Sequence, residues 1–184
     1  GNKFNHDWIF DTIFIGGGTP SLISSKWIEQ IIITLDNNLD ISYVNEISME
    51  INPGEATLNF LKECKSIGVN RISIGFQSFD PLLLKLLDRT HLSEDNIITY
   101  NNTRIAGYDN INIDLMFNIP GQSISRWKKD VQSLIELNPE HMTLYSLTLE
   151  KGTPLKEQVE NGIVEYPSEG ADIRMYEWAV KNIS

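Results

Sequence analysis

The chain has 184 residues, of which 41% are hydrophobic, a single cysteine and a formal net charge of -10. That length and apolar content suffice for one domain with its own core and no stapling. The lone cysteine excludes an internal disulfide framework and fits a reducing compartment, while the acidic balance argues against nucleic acid, whose partners neutralise phosphate with basic patches. The basic run "RWKK" at 126–129 sits on a predicted helix and reads as a solvated face.

In chain order, a β-rich run at 12–16 passes directly into the glycines of "IFIGGGTPSL". Trp27, Ile28, Ile31, Ile32 and Leu35 then recur at helical spacing. A second strand is predicted at 46–51, followed by a helix carrying Phe60, Leu61, Cys64 and Ile67, which puts Cys64 in the core. A third strand at 71–76 leads to two helices, near 81–88 and 93–106. A fourth strand at 111–116 precedes the stripe Trp127, Val131, Leu134 and Ile135. A fifth strand at 142–147 and a helix at about 169–182, behind Pro167 and Ser168, complete the pattern. No run approaches the roughly 18 apolar residues of a membrane span, and "GNKFNHDWIF" lacks a cleavage-site pattern, so a cytoplasmic chain without a transmembrane segment is expected.

Strands alternating with helices imply βαβ units and a parallel α/β sheet. Three of the strands alternate apolar with polar or small residues: Ile47, Met49 and Ile51 against Glu46, Ser48 and Glu50; Ile72, Ile74 and Phe76 against Arg71, Ser73, Gly75 and Gln77; Ile111, Ile113, Leu115 and Phe117 against Asn112, Asp114 and Met116. Side chains two apart share a face. The apolar face must therefore lie under the helices and the other must meet something polar. A closed eight-stranded barrel fills its lumen with Val, Ile and Leu, so the pattern predicts an incomplete, wide (β/α) barrel whose inner face contacts a polar ligand. An antiparallel sheet with one wet face is the alternative.

Glycine and proline mark the carboxyl ends of strands, in "GGGTP" at 16–20, "NPG" at 52–54 and "IPGQ" at 119–122. Ligands of parallel α/β folds bind at that edge. Glycine admits close approach to the backbone; "GGGTP" lacks the Lys-Ser/Thr of a phosphate loop and the spacing of a dinucleotide fingerprint. A tight turn packed on a neighbour explains it equally well. Glu50, Gln77 and Asp114 are the inward polar residues nearest this edge and are expected to surround one cavity. Glu50 also reads as a solvated strand end, Gln77 as a tie for its own loop, and Asp114 as one half of an ion pair with Arg71 or Arg89. His6, His91 and His141 are scattered, and neither a metal site nor a nucleophile–base pattern is visible.

"TIFIGGGTPSL", "MEINPG", "GVNRISIGFQSFD", "LLDRTH", "NINIDLMFNIPGQ" and "LYSLTLEKGTPL" occur in this order. Together they resemble the radical S-adenosylmethionine enzymes of the oxygen-independent coproporphyrinogen III oxidase family, most closely the branch that includes the haem chaperones. The resemblance implies five of the six βα units of a partial TIM-type barrel over residues 1–149, with 150–184 starting a C-terminal extension. It implies that Gly17, Gly18 and Thr19 lie against the methionine end of S-adenosylmethionine, that Glu50 contacts the same cofactor, that Gln77 and Arg89 bind a cofactor molecule, and that Asp114 takes a ribose hydroxyl pair. Asn118 stands where the family usually has glycine; asparagine is the side chain that best tolerates the positive φ required there.

The family's C-x-x-x-C-x-x-C motif is missing from the chain. The expectation is thus a fragment cut at both ends, inactive alone, whose parent holds a [4Fe–4S] cluster in its N-terminal part and cleaves S-adenosylmethionine reductively as an oxidoreductase acting on a tetrapyrrole. A haem chaperone that binds and delivers haem is the alternative. A phosphate-binding β/α enzyme is a third, and the charge argues against the radical enzymes of transfer RNA. Oligomeric state is open; an unpaired first strand could pair with another copy.

Overall fold

The computed structural model describes residues 8–183; "GNKFNHD", with His6, lies outside the described residues. In chain order the elements are β1 (Thr12–Ile15), α1 (Ser25–Asn38), β2 (Glu46–Ile51), α2 (Leu58–Ser66), β3 (Arg71–Gln77), α3 (Pro81–Leu86), α4 (Ser93–Ile105), β4 (Ile111–Phe117), α5 (Ile124–Leu137), β5 (His141–Ser146), α6 (Pro154–Glu160) and α7 (Ala171–Ile183). The five strands form one sheet in the order of the chain. β1 pairs in parallel with β2, and β2 with β3, where Glu50 stands beside Ser73 and Ser48 beside Arg71.

Every strand and helix expected from periodicity is present, with ends moved by a few residues at most. A 3₁₀ turn at Pro20–Leu22 and the helix α6 were not expected. α6 buries no side chain, so it carries no stripe; its start is set by Thr153, whose hydroxyl accepts from the Lys156 N–H, and by Pro154 in the first turn. The α1 stripe is narrower than its apolar residues suggest. Ile28 is fully buried, but Trp27 is 64% exposed and Ile31 is also exposed. α1 packs on α2, and of its five apolar stripe residues only Ile28 is buried.

The chain divides into two compact units, Gly1–Gly75 with Ile97–Asn112, and Phe76–Asn96 with Ile113–Ser184. In the first, Met49, Leu61, Cys64, Ile72, Ile74, Tyr108 and Ile111 are fully buried. The Tyr108 hydroxyl donates to the Leu61 carbonyl across 3.1 Å, which satisfies its one polar atom. Burial, then the nearby Glu63 carboxylate, pushes the Cys64 thiol up to about 12. The thiolate is the reactive form, so native Cys64 is expected to resist a maleimide at pH 8 and to react quantitatively once denatured; rapid modification of the folded chain contradicts this burial.

The second unit buries Phe76, Leu83, Leu84, Ile113, Leu115, Trp127, Val131, Leu134, Met175 and Ala179. It also buries one carboxylate, Asp130, whose pKa burial pushes up to about 6 against the lowering pull of hydrogen bonds from Ser78 and Phe79. A folded-state value above the ordinary 3.8 means that protonated Asp130 favours folding. Its contribution is whole below the unfolded pKa and is lost as pH rises through the folded one. The stability of the wild type relative to Asp130→Asn is therefore expected to fall between about pH 4 and pH 6 in denaturant titrations; a pH-independent difference contradicts the assignment.

Candidate functional site

The first unit brings together Gly17, Thr19 and Glu50. β1 ends at Ile15, and the chain turns through three glycines for two different reasons. A Cβ at Gly16 would lie 2.8 Å from Glu50 Oε2 and 2.9 Å from the Phe14 ring, so a side chain there must displace both. Gly17 and Gly18 have φ of +82° and +63° with nothing within 4 Å of a Cβ position. They are glycine for backbone conformation, and the space in front of them is open. Gly16→Ala is expected to displace the Glu50 carboxylate and the exposed Phe14 ring, both flexible side-chain ends, and so to shift the urea midpoint by less than about 1 kcal/mol; a loss of several kcal/mol contradicts this.

The Gly17 N–H donates to Glu50 Oε2 at 3.1 Å. This bond ties the carboxyl end of β1 to that of β2 and leaves the other carboxylate oxygen for a cationic group. Thr19 Oγ1 accepts from Asn52 Nδ2 at 3.2 Å. Ser21, buried in the following 3₁₀ turn, donates to Glu55 Oε2 at 2.9 Å. Further toward the amino ends of the strands, the polar face closes on itself. Ser48 Oγ donates to Glu46 Oε1 at 2.7 Å, Arg71 Nη1 donates to Ser48 Oγ at 3.2 Å, and Asn112 Nδ2 donates to Ser73 Oγ at 2.8 Å. Glu50 lies near the carboxyl end of β2, level with Ser73 of this ladder.

The second unit brings together Gln77 and Arg89. Both line a cavity of about 580 Å³, with Lys85, Met116, Tyr145 and Glu150. The Tyr145 hydroxyl donates to Gln77 Oε1. Gln77 lies in the left-handed region at φ 66° and is 7% exposed. Asp114 is half-buried on the same face of β4 as Met116, and it is not among the residues lining this cavity. Asn118 has φ 61°, as expected for the residue that stands in place of glycine, and its side-chain nitrogen donates to the Tyr166 hydroxyl at 3.1 Å. Tyr145 was not singled out from sequence, and Met116 was read only as a member of the inward face of its strand. For Tyr145 a signal existed: it closes the period-2 series Thr143, Tyr145 at the carboxyl end of a strand.

No group of three or more metal-ligating side chains occurs among the described residues. Cys64 is buried with its thiol protonated, so the residues of this chain do not fit a [4Fe–4S] cluster. Each unit by itself offers polar groups suited to an organic ligand: open backbone beside a half-buried carboxylate in the first, and a cavity with an amide and two cations at its wall in the second.

Parallel β/α units with an open glycine turn pinned by a carboxylate at the strand ends define a β/α protein whose candidate site lies at the carboxyl edge of its sheet. The model of the Radical SAM superfamily matches residues 3–134, and the chain belongs to that superfamily. The protein named "Heme chaperone HemW" of Lactococcus lactis is 38% identical over 167 residues, which are 91% of this chain and 44% of that protein. The "Radical S-adenosyl methionine domain-containing protein 1, mitochondrial" of Danio rerio is 37% identical over 170 residues, 92% of this chain and 38% of that protein. The solved structure of coproporphyrinogen III oxidase (HemN) from Escherichia coli superposes with a TM-score of 0.80 at 24% identity, covering 93% of this chain and 39% of that one. The fold is therefore the expected partial parallel (β/α) barrel. The chain spans less than half the length of these relatives. None of the helices among the described residues is long and apolar enough to cross a membrane.

Proposed function

We propose that this chain supplies part of the S-adenosylmethionine site of a radical S-adenosylmethionine protein that binds and delivers haem. The observation that carries the reading is the Gly17–Glu50 hydrogen bond beside open backbone at Gly17 and Gly18. A methionine end offers an ammonium and a carboxylate. The ammonium suits the Glu50 oxygen that Gly17 leaves unused, and the carboxylate suits polar backbone and the Thr19 hydroxyl. Gln77 and Arg89 would meet the polar end of a cofactor molecule from the second unit, Arg89 by charge, and Asp114 would accept a ribose hydroxyl pair. The chemistry that S-adenosylmethionine brings to this superfamily is radical chemistry; the part of these residues is to bind and orient it. Residues 150–184 would begin an extension beyond the βα units. A reducing compartment such as the cytoplasm suits the buried free thiol of Cys64.

Haem delivery is preferred to porphyrinogen oxidation because curated relatives from Lactococcus lactis and Bacillus subtilis carry the name heme chaperone. The second reading is an oxidase acting on a porphyrinogen; the likeness to the Escherichia coli enzyme, at 24% identity, speaks for the fold alone. The test uses the full-length protein that contains this chain. Retention of haem on the purified protein and its transfer to an acceptor apoprotein, with coproporphyrinogen III left unconsumed, is the expected result. Turnover of coproporphyrinogen III without haem retention overturns the preferred reading in favour of the second.

A further inference from the structure

Gln77 holds a left-handed backbone conformation at the end of a strand, with φ 66°, although glutamine has no preference for it. Such conformations persist where the surroundings over-determine them. The surroundings here are three buried polar side chains from three different segments. Ser78 is fully buried, and its hydroxyl donates to Asp130 Oδ2 on α5 at 2.6 Å. The next residue, Phe79, donates its backbone N–H to Asp130 Oδ1 at 3.0 Å. The Ser78 carbonyl accepts from Asn96 Nδ2 on α4 at 3.0 Å. Asp130 is 2% exposed, and Asn96 is fully buried with its Oδ1 left without a hydrogen-bond partner. Both oxygens of one carboxylate thus hold the two residues that follow Gln77, while Tyr145 holds its side-chain oxygen.

We propose that Asp130 is a positioning residue for Gln77: through Ser78 and Phe79 it fixes the left-handed turn that sets the Gln77 amide in the wall of the 580 Å³ cavity. With Oε1 taken by Tyr145, the amide offers its NH₂ group to the cavity, so the group recognised there is a hydrogen-bond acceptor, such as a carboxylate or hydroxyl oxygen. The carboxylate form of Asp130 accepts from both donors. Protonation puts a hydrogen on one of the two oxygens and removes that acceptor, so the turn loosens in acid. The charged groups that act on Asp130 are Asp80, which caps α3, and Arg126 on its own helix, themselves joined by an ion pair of 3.4 Å. The group reached from α4 is the neutral Asn96. The elevated pKa of about 6 places the change in an accessible range.

The bearing on ligand binding rests on the proposed role of Gln77, but the positioning itself is testable without any ligand. In ¹⁵N-labelled chain, the Phe79 backbone amide and the Gln77 side-chain NH₂ signals are expected to move together on titration from pH 4.5 to pH 7.5, with one midpoint near about 6. In Asp130→Asn the common midpoint should vanish and the Gln77 signals should double or broaden while the circular dichroism spectrum keeps its helical shape. If that variant does not fold, the wild-type titration decides alone. A Phe79 signal that titrates while the Gln77 signals stay fixed overturns the proposal, as does an unchanged Gln77 in a folded Asp130→Asn. Full S-adenosylmethionine binding by Gln77→Ala would count against the ligand role of Gln77 alone and would leave the co-titration as the judge of Asp130.

Discussion

Trp127→Ala is expected to lower the unfolding free energy by ~3–5 kcal/mol, the range for deleting a fully buried aromatic side chain. Trp127 is 0% exposed on α5. Its ring centroid lies 5.4 Å from that of Phe117 at the end of β4, and its Nε1–H donates to the Met175 carbonyl of α7 at 2.8 Å. One side chain thus fastens the end of a strand and a later helix to α5, and truncation leaves a cavity and removes a buried hydrogen bond. Trp127→Phe keeps most of the packing and loses the hydrogen bond, so about 1–2 kcal/mol should separate it from wild type. Denaturant titration measures both, and a Trp127→Ala cost below about 1 kcal/mol contradicts the packing described.

Glu50→Ala is expected to weaken S-adenosylmethionine binding by the full-length protein roughly 10- to 100-fold, the equivalent of the ~1.5–3 kcal/mol of a hydrogen bond to a charged group. Stability should change little. The bond that Glu50 makes to the Gly17 N–H is exposed, and water replaces it. Glu50→Gln separates the two roles, since it keeps an acceptor for Gly17 and removes the charge. Affinity in Glu50→Gln should resemble Glu50→Ala if the ammonium is what Glu50 recognises. Isothermal titration calorimetry distinguishes these outcomes, and wild-type affinity in both variants would remove Glu50 from the site.

The strands were legible because period-2 alternation and glycine-marked ends are local properties of the chain. Asn118 shows this well: its tolerance of positive φ could be read from residue type, and the structure places it at φ 61°. Gln77 at φ 66° was not legible, since no local preference puts glutamine there; buried contacts from α4 and α5 impose it. Asp130 had left a trace. It falls three residues after Trp127 and one before Val131, on the stripe that the helix buries, and a carboxylate at such a position must find partners inside. The α1 stripe misled in the opposite sense, because Trp27 has helical spacing with buried residues yet stays exposed. Periodicity identifies a face, and only the neighbouring elements decide how much of it is covered.

In the proposed function, the glycine turn and Glu50 together receive the amino-acid end of S-adenosylmethionine. The most direct measurement is the affinity of the full-length protein, wild type and Glu50→Ala, for S-adenosylmethionine and for 5′-methylthioadenosine, which lacks that end. The wild type is expected to prefer S-adenosylmethionine, and Glu50→Ala to abolish most of this preference while binding of 5′-methylthioadenosine is unchanged. Equal losses for both ligands, or no loss for either, would contradict it.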